Sequence, residues 1–116
     1  MDYQERFSDN DLAKIVNEGM VSMCACPAQV AASLRTLRNL YLYQMNCLEQ
    51  PGNESLVHTT IAQAAIVTHS LLEDCMEKIL EIEKWDRASL QMPPNLRKRQ
   101  IEEINKEYSP LKAPGA

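Results

Sequence analysis

Two thiols one residue apart, Cys24 and Cys26, flanked by Met23 and Pro27, are the residues whose type and spacing most invite chemistry. At a corner ahead of a helix they can point the same way and offer soft ligands to Cu(I) or Zn(II). A Cys26 thiol at a helix N-terminus is also favoured as the thiolate, which raises its reactivity. Cys75 and His69 supply further donors, so the ligand set implied by this reading is Cys24, Cys26, Cys75 and His69, with zinc or copper as the metal if one is held at all. The competing expectation is ordinary. Zinc sites mostly separate paired cysteines by two to four residues and redox pairs use Cys-x-x-Cys, whereas small thiols readily fill a tight turn.

His58 and His69 fall on nearly one helical face but eleven residues apart, about 16 Å along a helix axis, so they cannot share a metal. The simpler expectation is a partly buried imidazole hydrogen-bonded across packed helices. Di-iron carboxylate proteins built on four helices need Glu-x-x-His pairs, and none occurs here. The three glycines, Gly19, Gly52 and Gly115, are too scattered to build a phosphate-cradling loop, and no Gly-x-Ser-x-Gly elbow is present. These patterns favour a non-enzymatic role.

The formal net charge of −4 over 116 residues argues against a general nucleic-acid binder. The charge is uneven: residues 93–116 hold five bases (Arg97, Lys98, Arg99, Lys106, Lys112) against three acids, while everything before them is acidic on balance. No apolar run approaches the roughly 20 residues a membrane span needs, and the acidic N-terminus lacks the cationic start of an export signal. A cytoplasmic protein with reduced thiols is therefore expected.

Four segments must position these residues. Ser8 and Asp11 form a capping box with Phe7 and Leu12 as a hydrophobic staple, opening a helix whose stripe is Leu12, Ile15, Val16, Gly19 and Met20. A second helix is expected from Pro27 to about Glu49, apolar at Leu34, Leu37, Tyr41, Met45 and Leu48, with Arg35, Arg38 and Asn39 facing water. Pro51-Gly52-Asn53 makes the turn, and Asn53 or Ser55 is the expected cap of a third helix running to about Leu90, stopped by Pro93-Pro94.

That third segment carries two stripes at alternating four- and three-residue spacing. One is Val57, Ile61, Ala64, Thr68, Leu71, Cys75 and Ile82; the other is His58, Ala62, Ala65, His69, Leu72, Met76 and Ile79. Two seams imply two packing partners, and Glu73, Asp74, Glu77 and Lys78 are assigned to the solvated face. Trp85 is expected to anchor the C-terminal tail or, where exposed, to serve as an interface anchor. Residues 95–108 read as a short amphipathic helix before a disordered end.

The fold class predicted is all-α, an antiparallel bundle of three main helices plus a short C-terminal helix, four-helix-bundle-like, with residues 1–92 as the core and 93–116 as a basic helix and tail. Segments two and three carry more apolar surface than one small chain covers, which predicts a homodimer. The function expected is a protein-interaction or adaptor module, with the basic tail as a contact for a protein partner. The alternative is a thiol-based zinc, copper or redox-responsive protein centred on Cys24 and Cys26.

Overall fold

Capping chemistry sets where the first helix begins. In the computed structural model, which describes residues 3–19, 26–52 and 54–93, α1 spans Asp9–Gly19. The Asp11 amide donates to Ser8 Oγ and the Ser8 amide donates to Asp11 Oδ2, both at 3.0 Å, the reciprocal pair that the sequence predicts. Phe7 and Leu12, one on each side of this box, are fully buried in one cluster. The helix α2 spans Cys26–Leu48 with Pro27 in its first turn, where its missing N–H costs nothing. The chain then turns through Gly52, whose φ of +87° lies where glycine alone is unstrained.

The longest helix, α3, spans Ser55–Ile82. Its cap is Glu54 and neither Asn53 nor Ser55: the Glu54 carboxylate accepts the Leu56 amide at 3.1 Å. It also ends eight residues before the expected stop at Leu90. The ending is a Schellman turn, in which the Lys84 amide donates to the Glu81 carbonyl and the Trp85 amide to the Leu80 carbonyl. Lys84 takes the left-handed position usually held by glycine, at φ +60°. Trp85 and Leu80 then pack together in the core. Apolar burial at Trp85, Leu90 and Met92 outweighs the helix-continuing pattern, so residues 83–92 fold back as a loop and not as a further turn of helix. Asp86 ties this loop by accepting the Ala88 and Ser89 amides, which holds its carboxyl below the usual carboxylate range.

The described chain is all-helical apart from these connections, and α2 packs against both α1 and α3. The α2 and α3 helices run antiparallel, since Gln44 meets His58 near the turn, Arg38 meets His69 midway, and Ala31 and Leu34 share a cluster with Met76 and Leu80 at the far end. Ala62 and Ala65 let α2 and α3 approach closely beside Tyr41, while larger side chains from α1, residues 85–92, α2 and α3 fill the other end. The expected short helix over 95–108 lies outside the described residues.

Candidate functional site

The inner face of α3 buries an ionic cluster where a plain apolar seam is the simplest arrangement. Arg38, Gln44, His69 and Glu73 are each at most 4% exposed. Arg38 and Glu73, both expected on watery faces, are corrections to the sequence reading. Arg38 lies four residues after Leu34 and three before Tyr41, and Glu73 lies three before Met76, so both sit on the apolar stripe by spacing. That spacing is the signal that could have found them.

What covers these charges is the segment before α1. Glu73 Oε2 accepts the backbone amides of Arg6 at 2.8 Å and Phe7 at 3.1 Å, and Glu73 Oε1 lies 3.4 Å from Arg6 Nε. Arg38 spreads its guanidinium over five partners, one of them Glu5, whose Oε1 lies 3.8 Å from a terminal nitrogen. Its Nε donates to His69 Nε2 at 3.0 Å, one terminal nitrogen to Asp9 Oδ1 at 2.7 Å, and the other to the Phe7 carbonyl, 3.5 Å from Glu73 Oε2. Tyr3 lies across the top, its ring 4.6 Å from the His69 ring and 5.2 Å from Tyr41, with Arg38 5.7 Å from its centroid. A buried Arg and Glu whose lone pairs and protons are so fully matched form a clasp, here closed on residues 3–9.

His69 is held neutral. Burial lowers its pKa from the usual 6.5, the neighbouring Glu73 carboxylate opposes that shift, and Arg38 reinforces it. Because Nε2 accepts from Arg38, the ring proton sits on Nδ1, which lies 3.7 Å from Glu73 Oε1. A metal at Nε2 would have to displace the Arg38 bond, and a base at that atom would find its lone pair already used. Beside the clasp lies a groove of about 440 Å³ lined by Gln4, Arg6, Ile66, Ser70 and Asp74 together with the edges of His69 and Glu73.

The other candidate ligands are the cysteines and His58. Cys24 lies outside the described residues. Cys26 is exposed at the first position of α2, Cys47 is half-buried, and none of Cys26, Cys47 and Cys75 is in a disulfide. Cys75, on the stripe expected to pack as a seam, is exposed. Among the described residues no group of three or more His, Cys, Asp or Glu side chains stands close enough to hold a metal ion. His58 is half-buried, its Nδ1 2.6 Å from Gln44 Oε1. No helix among these residues is long and apolar enough to cross a membrane.

No known family, characterised protein or solved structure is detectably similar to this chain.

The outer face of α3 is the opposite of the clasp. The stripe through Val57, Leu71, Cys75 and Ile82, expected to pack as a second seam, is exposed to solvent, with Val57 at 52%, Leu71 at 63% and Ile82 at 67%. Leu56 and Val67, on its flank, are 72% and 61% exposed. The second stripe (Ala62, Ala65, His69, Met76) is the one that packs on α2. A row of large apolar side chains in water over most of a 28-residue helix is a surface of the kind that marks partner binding.

Proposed function

We propose that the protein is a non-enzymatic protein-interaction module of the adaptor kind, acting in the cytoplasm as a homodimer and presenting the apolar face of α3 as its working surface. The observation that carries this reading is the solvent exposure of Val57, Leu71 and Ile82 along one side of α3. The clasp agrees with it, because Glu73 and the His69 Nε2 lone pair are engaged in holding residues 3–9 and Arg38 in place. Pairing two α2–α3 hairpins would complete a four-helix-bundle-like core, and the basic segment 93–116 would add a contact for an acidic partner. Four cysteines suit a reducing compartment.

Native mass spectrometry on protein purified anaerobically without chelator tests this reading. The expected result is a metal-free dimer whose mass does not change on adding zinc or Cu(I). A stoichiometric metal that disappears in the Cys24→Ser, Cys26→Ser double variant would overturn it in favour of a metal-binding protein.

A further inference from the structure

We infer that the exposed face of α3 is covered by the α3 of a second copy of this chain, packed antiparallel about a two-fold axis passing near residues 69 and 70. The inference rests on the interaction-module reading and specifies its partner.

The exposed stripe is a heptad seam. Ile61, Thr68, Cys75 and Ile82 recur every seven residues, and so do Val57, Ala64, Leu71 and Lys78, the two sets alternating by three and four. In an antiparallel pair each member of one set meets a member of the other. A single register satisfies all of them: Val57 lies against the partner's Ile82, Ile61 against the partner's Lys78, Ala64 against the partner's Cys75, and Thr68 against the partner's Leu71. Every pair recurs by symmetry, as an isologous interface demands. Sliding one helix by a heptad in either direction leaves large apolar residues at the ends without partners, so the central register buries most.

Charge selects the same orientation. Residues 55–72 of α3 contain no Asp, Glu, Lys or Arg, whereas residues 73–82 contain Glu73, Asp74, Glu77, Lys78 and Glu81. Parallel pairing would set Lys78 directly against the partner's Lys78 and bring the acidic ends together. Antiparallel pairing lays each charged half along the partner's uncharged half, with Asp74 beside the partner's Val67 and Glu81 beside the partner's Thr60. Like-charge contact across an interface is costly, and this arrangement contains none along the seam. From Val57 to Ile82 the seam is about 38 Å long, and a helix presents a strip about 10 Å wide. Such a strip, about 380 Å² on each copy, falls below the roughly 800 Å² per partner of a stable complex, so the dimer is weak and dissociates on dilution.

Sedimentation velocity on the full chain, from low micromolar to near-millimolar concentration, tests the pairing together with disulfide mapping. Because Leu71 is exposed in the single chain, Leu71→Glu leaves the helical circular dichroism unchanged while weakening dimerisation by roughly 100-fold or more, both copies losing an apolar contact. Orientation is read by mild oxidation in a Cys24→Ser, Cys26→Ser, Cys47→Ser background. With Cys75 alone no cross-link forms, since the two copies of that residue stand about 16 Å apart along the axis. Adding Ala64→Cys creates a thiol opposite the partner's Cys75 and yields a covalent dimer. A dimer that survives Leu71→Glu, or that cross-links through Cys75 alone, would overturn the antiparallel α3 seam while leaving the interaction reading standing. A monomer at every concentration would overturn both the seam and the homodimer, and is the result expected if residues 94–116 cover this face within one chain.

Discussion

The two sides of α3 reverse the usual allocation of side chains. Its inner side buries His69 and Glu73 against Arg38, while its outer side leaves Leu71, Val67 and Ile82 in water. The inner polar groups make bonds that an apolar seam could not. Glu73 accepts two successive backbone amides from a segment 66 residues away in sequence, and Arg38 donates to the Phe7 carbonyl, so the N-terminal segment is held at one position. The outer apolar groups make no such specific demand; they ask only for another apolar surface with matching spacing. One side thus ties the single chain together, and the other is left exposed to solvent.

The strongest way to break this contrast is to empty the clasp. Arg38→Met should cost about 3–5 kcal/mol in urea unfolding, because it leaves the buried Glu73 carboxylate with only the more exposed Arg6 as a cation and strands the Phe7 carbonyl and His69 acceptors. Adding Glu73→Leu should recover part of that loss, since replacing both members of a buried pair by apolar residues removes the stranded charge. A double variant no more stable than the single one would show that Glu73 acts mainly through the Arg6 and Phe7 amides.

Titration gives a second, smaller effect on the same side. The folded pKa of His69 lies below its usual 6.5, so the unfolded chain takes up a proton that the folded chain refuses. The stability His69 contributes is complete above pH 6.5 and is lost as the pH falls from there through the folded pKa. Melting temperature should therefore drop between pH 7.5 and 5.5. His69→Gln keeps an acceptor for Arg38 but cannot titrate, and should flatten that pH dependence; an unchanged slope would place the titrating group elsewhere.

The exit from α3 offers a gain in place of a loss. Lys84 sits at φ +60° with its side chain exposed, and Lys84→Gly should stabilise the protein by about 1 kcal/mol through relief of left-handed strain. The smallest stability effect belongs to the outer face. Leu71→Glu should change the unfolding free energy of the dilute single chain by less than about 0.5 kcal/mol, as expected for an exposed position, while weakening the proposed dimer. A large destabilisation there would mean that the outer face is already covered within one chain.

How much of this was legible in the sequence depends on how far apart the interacting residues lie. The capping box at Ser8 and Asp11, the staple of Phe7 with Leu12, the hairpin turn at Gly52 and the stripe of Ala62, Ala65, His69 and Met76 are all settled within a few residues, by orphan amides and helical periodicity. The same periodicity predicted a seam through Val57, Leu71 and Ile82 but could not say that the described chain leaves it exposed. The end of α3 was misplaced because Trp85 and Leu90 continue an apolar rhythm, while their burial in a returning loop is decided by contacts with Phe7, Leu12 and Leu34.

Three helices, the first turn of α1 and the antiparallel return of α2 on α3 are dictated by neighbouring residues, because each follows from local hydrogen-bond demand and side-chain spacing. Which of the two α3 stripes is covered, and the burial of Arg38 and Glu73, were settled only by packing in three dimensions. A charge enters the interior only where its partners arrive from elsewhere in the chain, and those of Glu73 come from Arg6 and Phe7, joined to it by the fold and by nothing in the intervening sequence.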